Sequence, residues 1–523
     1  MAVANQLRMS LSTLKGSWEL RDNLIQYQAG FASAMLERAA GRNFRAWVIG
    51  DDADPARAAA FLEMLELHRI EYLPLGETIR AAGREFTPGH AWVIPARQRQ
   101  FGMAEAVMET RTSFEDETFY DVSAWTQPLA YNLPFARLGK MPATHDSGQS
   151  SSGLPPDHQA RAWAIPWQQM EAAPLLQKLL SAGARVQTVL KPFSAQTANG
   201  LQPFQAGTLF LQAGIQDPGV LPITIDILSH AALSGLNVHS LPSTLTATGP
   251  DPGSKHFPVV RPIQPLIIGG KGTSSYGVGE QWFLLDQRLK MSAPIVELQH
   301  LERVNLHDYT HLLMADGDYS VLRNGIESRI IRWVNEGGVL LTINRAAAWA
   351  ENLCFTSDPV NCESDRADGN SQEDIAPRAY SDFENDKSQQ VIGGAIVSSI
   401  ADLSHPLTFG YQRPELPLFR RGTTELEPSQ NPYSTPVRYT SNPLMAGFIG
   451  NDRLEAIKGQ PAVIAEKTGK GLVVRFANNP LFRGFWRGTE KLFVNALYFA
   501  QVVEPTEIPV IVKKAKRESH EIP

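Results

Sequence analysis

A glycine-rich turn is the most suggestive chemical feature of this sequence. The segment Gly269–Glu280 follows an apolar run that predicts a strand, and it leads into a predicted helix. Backbone N–H groups at the start of such a helix can hold an anion together with the helix dipole. Polar residues near the ends of predicted strands could complete a site at the switch point of the sheet. The candidate ligand-binding residues are Gly272, Thr273, Ser274, Ser275, Glu280, Asp316 and Arg345.

The turn matches none of the common catalytic loops. Gly272 follows Lys271, where a P-loop would place the Ser or Thr that holds magnesium. The third glycine is displaced from its position in the dinucleotide-binding fingerprint. Ser274 is separated from Gly277 by two residues, which excludes the G-x-S-x-G nucleophile turn. Two interpretations stay open, namely a tightly packed strand-to-helix turn and a loop that binds a ligand.

No nucleophile follows the most strongly predicted central strand. A cysteine hydrolase of this architecture needs a thiolate at the sharp turn after that strand. Here the run GGVLLTI is followed by Asn344, Arg345 and Ala346, and Cys354 comes only after the next predicted helix. We therefore predict no catalytic residue. A hydrolase with an unrecognised site, acting through Glu280 and a histidine, is the weakest of the hypotheses.

The histidines do not form a recognisable metal motif. His68 and Glu71 match a His-x-x-Glu spacing, but two residues fix that pattern and no third ligand completes it. His307 and His311 are four residues apart, without the Glu that a His-Glu-x-x-His helix requires. We interpret these two, with His300, as solvated or capping side chains. The sequence predicts no metal and no cofactor in this chain.

The elements that would position these residues alternate between short β-rich runs and helical patterns, which predicts an α/β fold. Asp54 and Pro55 are a plausible N-cap and first residue of an early helix. We expect a helical lead-in with a first small α/β unit in residues 1–150. A second small unit occupies residues 151–261, after a linker rich in Ser, Gly and Pro.

A stronger alternation in residues 262–503 predicts a doubly wound, flavodoxin-like domain. An insertion at residues 355–388 interrupts it, in a stretch from Cys354 to Lys387 that holds nine acidic and three basic residues. This composition indicates a solvated segment, and it lacks the ligand spacing of an EF-hand loop. A tail at residues 504–523 carries a short basic cluster.

Composition excludes several function classes. Of the 523 residues, 43% are apolar and 20% are charged, as in ordinary folded proteins, and the net charge is −6. A weak negative charge argues against general nucleic-acid binding. No apolar run is long enough to span a membrane, and the first thirty residues lack a signal-peptide core. Cys354 and Cys362 could form a local disulfide or stay reduced.

Several segments together are similar to a known family. They are FYDVSAWTQPLAYNLPFA (residues 119–136), GTSSYGVGEQWFLLDQRL, GGVLLTINRAAAW, SHPLTFGY and NNPLFRGFWRGTEKLFVNALYFA. The set resembles the region that follows the catalytic domain in large bacterial zinc carboxypeptidase-like proteins. The resemblance covers Asn5 to Gln501, and its last half resembles a class I glutamine amidotransferase-like domain without the nucleophile. Trp125 and Trp486 lie in these segments and are expected to be buried.

The resemblance implies a parent whose zinc is held by His-x-x-Glu and a distant His, with a Glu as general base. Those residues would lie before Met1, so no catalytic position transfers to this chain. The implied function is a non-catalytic accessory region that packs against the peptidase domain, in cis or in trans, or presents substrate to it. The alternative is a stand-alone module that binds a peptide or small molecule. The compartment would be extracytoplasmic within an exported parent, and cytoplasmic otherwise.

Overall fold

The computed structural model describes residues 2–52, 54–115, 119, 121–145, 155–322, 325–353, 355, 379–380 and 383–504. Its architecture is mixed α/β, with helices packed on several sheets. The predictions that concern Cys354, Cys362 and the basic cluster of the tail lie outside the described residues, as does most of the acidic insertion. In the described part, no helix combines the length and the apolarity that crossing a membrane requires.

The chain begins with two helices, α1 (Ala2–Glu19) and α2 (Arg21–Ala40), which we call the helical arm. Most of the arm is exposed, and α2 reaches the body of the protein near Ala39, which is buried. Large apolar side chains of the arm are exposed, among them Leu7, Leu11, Leu14, Trp18 and Ile25. Trp18 alone is 71% exposed, so the arm presents apolar surface that the described residues leave uncovered.

The first sheet is antiparallel, with strand order β2-β5-β1-β6. Its region contains β1 (Ala46–Gly50), β2 (Leu73–Pro74), β3 (Ile79–Ala81), β4 (Arg84–Phe86), β5 (Ala91–Pro95) and β6 (Phe135–Leu138), with helices α3 (Pro55–Leu67), α4 (Phe101–Val107) and α5 (Gln127–Ala130). Strands β3 and β4 form a separate hairpin. Helix α3 begins as the sequence predicts, because Asp54 accepts a hydrogen bond from the Arg57 N–H and Pro55 follows it.

The second sheet is also antiparallel, with strand order β12-β7-β11-β8. Its region contains β7 (Ala162–Ile165), β8 (Gln187–Thr188), β9 (Phe193–Thr197), β10 (Gly200–Phe204), β11 (Leu209–Gln212) and β12 (His239–Leu241), with helices α6 (Ala172–Ser181) and α7 (Leu221–Leu233). Strands β9 and β10 pair as a hairpin beside it. Helix α6 buries its leucines against the sheet, so this unit has an apolar core.

A nine-stranded sheet dominates the rest of the chain. Its strands are β13 (Pro265–Gly269), β14 (Ile295–Glu297), β15 (His311–Met314), β16 (Val339–Ile343), β17 (Ala395–Ala401), β18 (Glu415–Arg420), β19 (Val437–Ala446), β20 (Pro461–Thr468) and β21 (Gly471–Phe476). Five are parallel, in the order β14-β13-β15-β16-β21. The sheet continues through β20, β19, β17 and β18 with antiparallel pairing.

The helices of this region are α8 (Ser275–Trp282), α9 (Ile326–Glu336), α10 (Arg345–Glu351), α11 (Phe383–Gln390), α12 (Asn451–Ile457) and α13 (Arg487–Phe499). A π-helical segment, Phe283–Arg288, continues α8. Short 3-10 segments occur at Ala213–Ile215, Leu298–Arg303, Leu306–Asp308, Pro406–Thr408, Phe482–Gly484 and Ala500–Val502. Helix α9 ends before Gly337, whose φ of 132° favours glycine at the end of a helix.

The central parallel strands are covered on both faces. Alternate residues of a strand point to opposite faces of the sheet. Leu266 of β13 belongs to a core cluster that includes Trp333 of α9, whereas Ile267 belongs to a cluster that includes Phe493 of α13. Strands β13, β15 and β16 are consequently buried along their whole length, as expected for parallel strands. Their carboxyl ends meet at one edge of the sheet.

Polar contacts join the smaller sheets to the nine-stranded one. The indole N–H of Trp167 donates to Asn495 Oδ1 of α13 at 2.7 Å, and both side chains are fully buried. Arg413 reaches back to Asp51, with 3.3 Å between Nη2 and Oδ2. These buried links tie three parts of the chain to the same core.

Candidate functional site

A cavity of about 1330 Å³ lies at the carboxyl ends of the parallel strands. Its walls come from the turn after β13 and from α8, from the turn after β16, from the end of β18, and from residues 479–485 after β21. Parallel strands end at a common edge, so segments far apart in sequence meet there. Five of the seven predicted ligand residues line the cavity: Ser274, Ser275, Glu280, Asp316 and Arg345.

The glycine-rich turn holds its own backbone groups. Gly270 and Gly272 have φ of 86° and 98°, which suits glycine. The carbonyl of Gly270 accepts from both the N–H and the hydroxyl of Thr273, at 3.2 and 2.8 Å. The carbonyl of Gly272 accepts from the Asp318 N–H at 2.8 Å. Gly272 and Thr273 therefore form the turn and do not line the cavity.

Ser274 is the N-cap of α8. Its hydroxyl oxygen accepts a hydrogen bond from the Gly277 N–H at 3.2 Å, and its own N–H donates to the carbonyl of Asp316 at 2.7 Å. The turn is thereby fixed against the end of β15. Since the Ser274 hydroxyl is used as a cap and no base among the described residues contacts it, the structure gives this serine a structural role.

Asp316 and Arg345 form a two-pronged ion pair at the cavity wall. Arg345 Nε and Nη2 lie 2.8 and 3.3 Å from Asp316 Oδ1 and Oδ2, and the Arg345 N–H adds a third bond of 3.2 Å to Oδ1. The hydrogen bond from Asp316 raises the pKa of the Arg345 guanidinium. The pair links the turn after β16 to the end of β15, and each charge is already compensated.

Glu280 of α8 is held by groups from the segment after β21. One carboxylate oxygen accepts from the side-chain amide of Asn479, and the other accepts from the backbone N–H of Arg483. Partial burial raises the pKa of the Glu280 carboxyl, although these hydrogen bonds and the positive charges of Arg483 and Arg421 oppose the rise. Glu280 therefore connects two walls of the cavity.

Arg483 is anchored on the other side by Asp121. Arg483 Nη2 lies 2.8 and 3.0 Å from the two Asp121 oxygens, and this hydrogen-bonded pairing lowers the pKa of Asp121. The guanidinium also lies 5.1 Å from the ring centre of Trp125. Trp125 is 42% exposed, so the expectation that it is buried is wrong. Trp486 is 2% exposed, as expected.

Asn344 occupies the sharp turn where the sequence showed no nucleophile. Its φ of 53° and ψ of −120° lie in a region that residues with side chains rarely adopt. Such a conformation costs about 1–3 kcal/mol and persists where the surroundings enforce it. Asn344 lines the cavity, and its buried side-chain oxygen has no hydrogen-bond partner in the described structure. Strain and an unmet hydrogen bond therefore coincide at this turn.

The rest of the lining is aromatic and cationic. The rings of Phe419 and Phe482 are stacked with centres 3.7 Å apart, and Phe482 contacts Phe485 edge-on at 6.1 Å. Phe283 of the π-helical segment is 40% exposed. Arg421 follows the last residue of β18 and also borders the cavity. An apolar wall with a few polar groups is the usual composition of a small-molecule site.

The titratable acids in the described lining of the cavity include the carboxyls of Glu280 and Asp316, and both accept hydrogen bonds from neighbouring groups. Of the described residues that line the cavity, none is a histidine or a cysteine. The described residues also contain no group of three or more His, Cys, Asp or Glu side chains that could hold a metal ion. The arrangement supports noncovalent recognition through hydrogen bonds, one or more charges and aromatic contacts.

The histidine prediction requires a correction at His311. This residue begins β15, is 4% exposed, and shares a hydrogen bond of 2.8 Å between its Nδ1 and the Thr310 hydroxyl. Burial lowers its pKa to about 4, so it is neither solvated nor a cap. His307 is exposed and lies 3.7 Å from Glu336, in agreement with a solvated residue.

Sequence reasoning missed several lining residues. Asn479, Phe482 and Phe485 follow β21, and Arg421 follows β18. A partial signal for the first group was available, because the run before Asn344, which forms β16, was predicted as a central strand. Only the parallel pairing of β21 with β16 brings the two ends to the same edge, and the sequence did not specify that pairing.

Comparisons with known proteins give no family. The chain matches no protein-family profile and no curated protein. It shares 12% identity with an exo-beta-1,4-mannosidase from Opitutaceae bacterium strain TAV5, at a TM-score of 0.23, over 54% of this chain and 39% of that one. A beta-galactosidase from Bacillus circulans sp. alkalophilus shares 15% identity at a TM-score of 0.22, over 46% of this chain and 32% of the other. A putative thua-like protein from Bacteroides uniformis ATCC 8492 shares 13% identity with this chain at a TM-score of 0.27. That similarity covers 45% of this chain and 89% of the other. The chain spans well under two thirds of the first two proteins, and these similarities assign no function.

Proposed function

We propose that this chain is a binding module whose ligand, a small molecule or short peptide, occupies the cavity at the carboxyl ends of the parallel strands. The observation that carries the proposal is Asn344, a residue with a strained backbone and a buried, unpartnered side-chain oxygen at the cavity wall of the described structure. Such strain and such unmet hydrogen bonds concentrate at functional sites. Glu280 and the Asp316–Arg345 pair give the cavity fixed polar walls that do not need to rearrange around a ligand.

A thermal-shift screen of a metabolite and short-peptide library tests this function. Gly279 of α8 lines the cavity, and a Cβ at this position would have open space around it. Gly279→Trp should therefore obstruct part of the cavity. Arg438→Gln is the matched control, because Arg438 is exposed on β19 away from the cavity. Hits that stabilise the parent and the control, but not Gly279→Trp, support the proposal. Hits that stabilise all three equally contradict it.

A second candidate is the accessory role that the resemblance to zinc carboxypeptidase-like proteins implies. The helical arm favours it, because exposed apolar side chains such as Trp18 and Leu11 are typical of surfaces that contact another protein domain. From the same resemblance, we propose that the nine-stranded sheet belongs to a doubly wound, glutamine amidotransferase-like domain. Two tandem α/β units would precede this domain in the chain. Zinc-dependent release of carboxyl-terminal residues from peptides by this chain alone would contradict the accessory role.

A further inference from the structure

The charged groups that line the cavity are held by ion pairs or hydrogen bonds, with one exception among the described residues. Arg345 is bound by Asp316, and Arg483 is bound by Asp121 through both carboxylate oxygens. Glu280 accepts hydrogen bonds through both of its oxygens. Arg421 makes no hydrogen bond and no ion pair within 4 Å in the part of the chain that the structure describes, and acts only at longer range on Asp121 and Glu280. The cavity therefore carries a cation with unused donors.

The end of β18 explains why Arg421 faces the cavity. Successive residues of a strand point to opposite sides. Arg420 is fully buried and donates to Tyr439, Asn478 and the Ala477 carbonyl. Arg421 comes next and is exposed at the cavity wall. Two adjacent arginines thus have different roles, one holding the core together and the other able to meet a ligand.

The same cavity has apolar and aromatic residues in its lining. It contains Phe419, Phe482, Phe485 and Phe283, with Val391 and Ile392 nearby on the lining. A flat apolar group can stack on such rings and remove their exposed area from water. A phosphate-rich ligand would need several unpaired cations, and a neutral sugar would leave the charge of Arg421 without a counterion. The combination fits a ligand with one negative charge and an apolar body.

We propose that the cavity binds an organic monocarboxylate, whose carboxylate pairs with Arg421 and whose flat apolar body packs against Phe283 and Phe485. Arginine suits this role because its planar guanidinium presents parallel N–H donors that match the two oxygens of a carboxylate. The inference rests on the proposed function, since it names the ligand class of the same cavity.

Calorimetric titration with two probes tests the ligand class. The probes are 3-phenylpropionate and its uncharged amide, 3-phenylpropionamide, which share the ring and differ in the charge. We expect the acid to bind the parent at least about tenfold more tightly than the amide. Arg421→Gln should weaken the acid at least about tenfold and leave the amide unchanged, whereas Arg438→Gln should change neither. Phe283→Ala should weaken both probes.

The contrary outcomes separate the two proposals. Equal binding of acid and amide, abolished for both by Gly279→Trp, would overturn the carboxylate class and keep the cavity as a ligand site. No binding of either probe at millimolar concentration would also overturn the class, while the library screen decides the proposed function by itself. Binding of the acid that survives in both Arg421→Gln and Gly279→Trp would place the probe elsewhere and overturn the assignment to this cavity. Unchanged melting midpoints for Arg421→Gln would show that the variant is folded.

Discussion

Strands β13 and β16 both end in turns that face the same cavity, and each turn begins with a residue of positive φ. After β13 that residue is Gly270, with φ of 86°, and the polar groups of the following turn are satisfied internally. After β16 it is Asn344, with φ of 53° and a side-chain oxygen that no described residue partners. One turn uses the residue that tolerates the conformation, and the other retains a side chain at an energetic cost. Retained strain of this kind indicates that the Asn344 side chain is needed for something other than folding.

The largest expected effect comes from giving the turn after β13 a side chain. Gly270→Val places a β-branched residue at positive φ, and its Cβ would lie 3.0 Å from Glu297 Cβ. We expect the free energy of unfolding to fall by about 3 kcal/mol. Urea unfolding followed by circular dichroism measures it. If the free energy of unfolding stays within the error of the parent, the turn after β13 tolerates a side chain at positive φ, as the turn after β16 does.

The next effect has the opposite sign and concerns the turn after β16. Asn344→Gly removes the strain and the unmet hydrogen bond, and it adds the entropy cost of a glycine. We expect a net gain of about 1 kcal/mol in the free energy of unfolding, together with weaker binding of library hits. Asn344→Ala is the control, because it keeps the strained backbone. If Asn344→Gly is destabilised, the side chain supports the fold and the contrast between the turns disappears.

A smaller effect is expected on the helix that follows the satisfied turn. Gly279 lies inside α8, and apart from its chain neighbours and the backbone of its own helix, no atom of the described structure comes within 4 Å of the place that an alanine methyl group would take. We expect Gly279→Ala to stabilise the protein by about 0.5–1 kcal/mol, because glycine costs that much in a helix interior. Thermal and urea unfolding measure the gain. A loss of stability would show that α8 needs the conformational freedom of glycine at its cavity face. The region after β13 would then resemble the strained turn after β16 more than we expect.

The smallest effect is a change in pH dependence at Glu280. Burial raises its native pKa above the unfolded value near 4.5. The stability that comes from the neutral acid is therefore complete below the unfolded pKa and is lost as the pH rises through the native pKa. Glutamine does not ionise, so the stability of Glu280→Gln relative to the parent should rise across that interval. Unfolding measured in steps from about pH 4 to about pH 8 tests this, and a pH-independent difference would refute it.

The sequence predicted the elements around the cavity better than their arrangement. Local signals identified the strand before Gly270 and the cap at Asp54, because hydrophobic periodicity and capping act over a few residues. The structure also brings Glu280, Asp316 and Arg345 to one cavity, as their positions after parallel strands suggested. Binding by these residues stays a prediction.

The remaining features depend on tertiary contacts that no local pattern encodes. Strand β2 contains only the two residues Leu73–Pro74, and Pro74 has no N–H to extend the ladder. Arg421 could not be singled out from Arg420, because only the pairing of β18 decides which of the two is buried. The strain at Asn344 was equally invisible, since it belongs to the backbone of the folded turn.

The helical arm has a consequence for exchange of amide hydrogens with solvent. Its two helices, of 18 and 20 residues, bury few side chains, and most of the stability of a helix in a protein comes from tertiary packing of its apolar face. Amides between Leu7 and Ile25 should therefore open by local fraying and exchange far faster than those of α13, whose side chains are almost all buried. Slow exchange in the arm would itself report that another surface covers it.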